Sequence, residues 1–93
     1  MTRYMQVQPY ETTQLEEEWI ILDTEHFHVT KLNQVGGFCW SRLQEEQTIE
    51  SLVQALLESY DLERHVDMDS LYQDVQTFIL QLESASLIKH VNR

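Results

Sequence analysis

The hydrophobic period of this chain changes once, near Asn33, and that change limits the folds open to it. Before Asn33 apolar residues come in short runs and alternate with polar ones, whereas after it they recur every three or four positions. Residues 10–15, 19–22 and 26–32 read as three strands. In the third, Phe27 and Val29 fall on one face and His26, His28 and Thr30 on the other. The connections Glu16-Glu17-Glu18 and Asp23-Thr24-Glu25 are short and polar, as antiparallel hairpins require. The three strands then form a meander, and its third strand is an edge. Residues 1–9 show no clear period and include Pro9, which lacks an N–H; they are expected to be flexible.

The rest of the chain is helical in its spacing. A helix over 34–43 places Val35, Cys39 and Leu43 on one face with Phe38 beside them. A second follows Thr48, a good N-cap, and turns Ile49, Leu52, Val53, Leu56, Leu57 and Tyr60 inward. A third follows Asp67, holds Asp69 in its positively polarised first turn, and carries Met68, Leu71, Tyr72, Val75, Phe78, Ile79 and Leu82. Residues 61–66 form a polar connection, and Leu87 and Ile88 in the tail are expected to fold back on the core. The architecture that follows is α+β: an N-terminal three-stranded antiparallel sheet, then a three-helix bundle, an order like that of a winged helix-turn-helix. With 93 residues, 1–93 is a single domain.

Charge narrows the function. Sixteen acids against six Lys and Arg give a net charge of −10, which opposes binding to a phosphate backbone or an anionic membrane. The third helix sharpens the point: between Val66 and Ile88 there is no Lys or Arg, while Asp67, Asp69, Asp74 and Glu83 are acidic. A helix that reads DNA needs the opposite chemistry. No nucleic acid and no membrane partner is therefore expected. No apolar run reaches the length of a membrane span or a signal peptide, and the single Cys39 excludes an internal disulfide, so a cytoplasmic location is expected.

Catalytic groups are poorly supported. His26 and His28 share a strand face, but two ligands do not complete a metal shell and no third is placed near them. Cys39 lies between Phe38 and Trp40 without a basic neighbour, as a buried structural cysteine does. The acidic clusters at 16–18 and 45–46 fall in solvated connections, and Gly36-Gly37 lacks the remaining elements of a phosphate loop. The expectation is a protein that is not an enzyme and holds no cofactor or metal. The third helix, however, is apolar over more than one side, with Phe78-Ile79-Leu80 consecutive. An edge strand beside an apolar helix flank is the arrangement that accepts an extended peptide as an added strand.

Leu32-Asn33-Gln34-Val35-Gly36, followed by Trp40 and Leu43, resembles the "LN-x-[TV]-[GA]…W" signature of PqqD-like proteins. Thr48-Ile49-Glu50-Ser51-Leu52 and Tyr60 resemble the second helix of that family. Asp74-Val75, Phe78-Ile79, Leu82 and Leu87-Ile88 resemble its "DV-x-x-F-[LI]-x-x-L…GL[LI]" ending. The resemblance spans residues 19–88. Two departures stand out: Ser86 where the family often has Gly, and Gln44-Glu45-Glu46-Gln47 in place of an Asp-Gly turn.

The resemblance implies a free-standing recognition element for the leader of a ribosomally made precursor peptide, like those of lasso-peptide biosynthesis, with a leader peptidase or another maturation enzyme as partner. It implies that the leader adds to the third strand, where Phe27, His28, Val29, Thr30 and Lys31 offer the main chain. Tyr72, Val75, Gln76, Ile79, Leu80 and Glu83 would form the facing flank of the third helix. On this reading Ile79→Asp leaves the fold intact and abolishes binding. The open strand edge could also pair two copies as a dimer. The competing expectation is a regulatory protein of winged-helix type that acts through protein contacts rather than DNA.

Overall fold

The computed structural model describes residues 2–60 and 67–91; the connection expected at 61–66 lies outside the described residues. Three strands, β2 (Glu11–Leu15), β3 (Glu18–Asp23) and β4 (His28–Asn33), form an antiparallel meander in that spatial order. Three helices follow, α1 (Gln34–Arg42), α2 (Ile49–Tyr60) and α3 (Met68–Ser84). The fold is α+β, and β4 is an edge of its sheet as expected.

Pairing in register joins Trp19 to Leu32, Ile21 to Thr30 and Asp23 to His28 on one face, and Leu22 to Val29 and Ile20 to Lys31 on the other. The first set faces the helices, where Ile21 is fully buried.

The third strand starts two residues later than its alternation suggests. His26 and Phe27 belong to the turn, because Asp23 at the end of β3 draws the chain back on itself. Its Oδ1 accepts from the backbone N–H of Glu25 at 3.1 Å and of His26 at 3.2 Å. Its Oδ2 lies 2.8 Å from Nδ1 of the His26 ring. Burial opposes ionisation of Asp23, but these hydrogen bonds and the His26 charge outweigh it and hold the carboxyl below the usual aspartate range. His26 and His28 therefore do not share a strand face; their ring centroids stand 6.3 Å apart, one in the turn and one on β4.

Residues 1–9, expected to be flexible, contribute a strand instead. β1 (Arg3–Gln6) pairs antiparallel with β5 (Ile88–Val91), joining Tyr4 to His90 and Gln6 to Ile88 in a second, two-stranded sheet. The other edge of β1 is tied down as well. Tyr4 and Gln47 exchange backbone hydrogen bonds at 2.8 and 2.9 Å, and the N–H of Gln6 donates to the Leu43 carbonyl at 2.9 Å. The loop that replaces the Asp-Gly turn is thus fixed by this contact. The buried Gln6 side chain donates from Nε2 to the Trp40 carbonyl at 2.9 Å, which satisfies its amide N–H in the core.

The core lies where the two sheets and three helices meet: Trp40, Leu43, Leu52, Leu56 and Ile79 are almost wholly buried, with Leu87 and Ile88 folded over them as expected. Local chemistry sets the element ends. Asn33 caps α1 by accepting from the Gly36 N–H at 2.7 Å. Thr48 and Ser51 cap α2 reciprocally, each side-chain oxygen accepting from the other residue's N–H at 2.9 Å. Asp67 caps α3 through the Asp69 N–H. At Gly37 a Cβ would sit 2.1 Å from the Trp19 indole, so the glycine lets α1 lie directly on β3.

Candidate peptide-binding cleft

Among the described residues the outer edge of β4 is unpaired, and it runs beside a cleft of about 550 Å³. One wall is β4 itself, through Lys31, Leu32 and Asn33. The opposite wall is α3, through Leu71, Asp74, Val75, Phe78 and Gln81, and Val35 and Gly36 from the start of α1 close one side. Cys39 and Leu56 form the floor. The spacing of the α3 residues, i, i+3, i+4, i+7 and i+10, is one helical row. Gly36 matters at the corner: a Cβ there would meet Asn33 Oδ1 at 3.2 Å and the Phe78 ring at 3.4 Å, so a larger residue would narrow the cleft.

The cleft is apolar at its base and charged at its rim. Val35 is 45% exposed, so it presents an aliphatic surface to the cleft rather than to the core side where its spacing with Cys39 and Leu43 had placed it. Lys31 stands on the strand side and Asp74 on the helix side. At the Asn33 end of β4 the cleft continues past Glu17 and Glu18, which flank Lys31, Leu32 and Asn33 in an adjoining depression. Burial pushes the Cys39 thiol up to about 11, so at neutral pH it is a protonated apolar floor and not a nucleophile.

Among the residues singled out from sequence, Lys31 and Val75 line the cleft. Thr30 is half-buried on β4 opposite Ile21, and His28 begins the strand. Val29 is 62% exposed on the sheet face away from the helices, opposite Leu22. Phe27 is in the turn, with φ 57°. On α3 the expected flank divides. Ile79 is wholly buried in the core, so Ile79→Asp would unfold the domain rather than spare it. Glu83 pairs with His90 of β5, on the side of the two-stranded sheet. Tyr72, Gln76 and Leu80 are exposed and do not line the cleft.

The cleft row is offset by about one residue from the expected one. Leu71, Phe78 and Gln81 stand outside the expected flank, while Asp74, which the resemblance offers as a partner for a leader Lys or Arg together with Asp69 and Glu83, does line the cleft. Leu71, Val75 and Phe78 at i, i+4 and i+7 are an apolar row in the sequence. That signal was masked because a second such row, through Tyr72 and Ile79, lies beside it.

Among the described residues, no three His, Cys, Asp or Glu side chains come together to hold a metal ion. No described helix is long and apolar enough to cross a membrane.

The chain is similar over nearly its whole length to a solved structure described as TbiB1 in complex with the TbiA(beta) leader peptide. The TM-score is 0.76 at 21% identity, covering 96% of this chain and 99% of that one. No curated protein sequence matches it. The family model described as coenzyme PQQ synthesis protein D matches residues 18–88, which takes in both walls of the cleft and all three helices. The chain belongs to the PqqD family.

Proposed function

We propose that this protein is a non-catalytic adaptor that binds the leader segment of a ribosomally made precursor peptide. The observation that carries the reading is the unpaired edge of β4 set against the apolar row of α3. An extended chain added to that edge gains main-chain hydrogen bonds from the strand, and its alternate side chains descend into the cleft. The likeness of the fold to a structure holding a leader peptide supports a peptide partner of that class.

Aliphatic or aromatic leader residues would pack on Leu32, Val35, Leu71, Val75 and Phe78, with Asp74, Glu17 and Glu18 available to leader cations and Lys31 to an anion. In this role the protein acts in the cytoplasm and presents the leader to a maturation enzyme, a leader peptidase in lasso-peptide biosynthesis. It raises the local concentration of the precursor at that enzyme rather than transforming it.

Leu71→Asp tests the cleft. Leu71 is only half-buried at the edge of the core, so the variant is expected to keep its circular dichroism spectrum with a lowered but cooperative melting transition, while the leader affinity, by titration calorimetry below that transition, falls about tenfold or more. Normal leader binding by this variant would place the peptide elsewhere.

A further inference from the structure

The hairpin from β3 to β4 holds a phenylalanine in the open. Phe27 is 91% exposed, and its backbone is left-handed, a conformation that bulky residues avoid. The turn is built around the buried Asp23 carboxylate, which fastens the Glu25 and His26 N–H groups. A glycine at 27 would complete the same turn without strain, so the turn itself does not call for an aromatic side chain.

From this tip an apolar strip crosses the sheet face that points away from the helices. Val29 lies opposite Leu22, Ile20 shares their face, and Leu15, half exposed, ends the strip on β2. The surrounding charge is acidic: Glu11 and Glu18 on the strands, Glu16 and Glu17 in one turn, Glu25 in the other, against Lys31. Two copies meeting on this face would oppose acid to acid, and an anionic membrane would be repelled likewise. A protein surface with an apolar pocket rimmed by Lys and Arg fits both the strip and its border.

We propose that Phe27 and this strip are the docking surface for the enzyme that processes the leader, with Phe27 as the anchor in an apolar, cation-rimmed pocket. The proposal rests on the leader-binding reading above. β4 lines the cleft only from Lys31 onward, so the tip stands roughly 13 Å along the strand from it, at about 3.3 Å per residue. A leader laid along β4 would extend the same sheet that carries the strip, and an enzyme seated on the tip would find the leader beside it.

The test combines the purified domain, the precursor peptide and the leader peptidase that cleaves it. Phe27→Gly is expected to leave leader affinity unchanged, to leave the melting temperature unchanged or raised because strain is relieved, and to raise KM for domain-assisted cleavage about tenfold or more, as loss of an aromatic anchor does. Leu15→Lys, at the other end of the strip on β2, is expected to raise KM in the same direction. Unchanged KM in both variants overturns the proposal. So does a parallel loss of leader affinity in Phe27→Gly, which would return the tip to the leader site. A wild-type dimer in analytical ultracentrifugation that Phe27→Gly converts to monomer would assign the strip to a second copy and overturn it too. If the wild-type domain fails to bind the leader, the leader-binding reading itself fails, and this one with it.

Discussion

Ser86 occupies the position after the α3 C-cap with φ 63°, where glycine is the usual residue. Its N–H donates to the Glu83 carbonyl and that of Leu87 to the Leu82 carbonyl, both at 3.0 Å, which ends the helix and turns Leu87 into the core. The departure from the family pattern therefore preserves the tail geometry, with strain confined to one residue. Ser86→Gly is expected to raise stability by about 0.5–1 kcal/mol in denaturant melts, with the same fold. Residue-level features that act within a few positions were legible in the sequence: Asn33, Thr48 and Asp67 all cap as their identities suggest. Phe27 was not, since its alternation with Val29 runs on through a turn that only the Asp23 hydrogen bonds reveal.

Elements show where sequence patterns lose force. The meander and the three helices each carry a period of their own, and the structure contains all six. The rotation of α3 does not follow from its own period, because the helix is apolar on several sides. Which row faces β4 is fixed by α2 and β5 packing on the others, burying Ile79 and engaging Glu83. The β1–β5 pair was equally illegible: two four-residue strands from opposite ends of the chain carry no local signal of their partner. Their contribution is nonetheless large, because Tyr4 is buried in the core and its ring meets His90 edge-on at 5.1 Å. Tyr4→Ala is expected to cost about 3 kcal/mol and to lower the melting temperature by roughly 10–20 °C, measured by thermal circular dichroism.

For the whole molecule, charge and topology divide the surface. Acids surround the meander's turns and run along α3 from Asp67 to Glu83, while the cleft keeps an apolar base between Lys31 and Asp74. The strand edge, the cleft and the hairpin tip all belong to one sheet, and the clasp of β1 on β5 lies in the other, which leaves the first free of structural duty at its edge. That clasp has a further consequence. Because Arg3 is paired with Val91, the two ends of the described fold leave it side by side. A module of this shape can be spliced into a surface loop of a larger host without disturbing its core, or have its ends joined and be reopened elsewhere. A circular permutant reopened between Glu16 and Glu17, in the exposed turn between β2 and β3, is expected to keep the native circular dichroism spectrum and a cooperative thermal transition. The same adjacency makes fusion to a processing enzyme through either end geometrically equivalent.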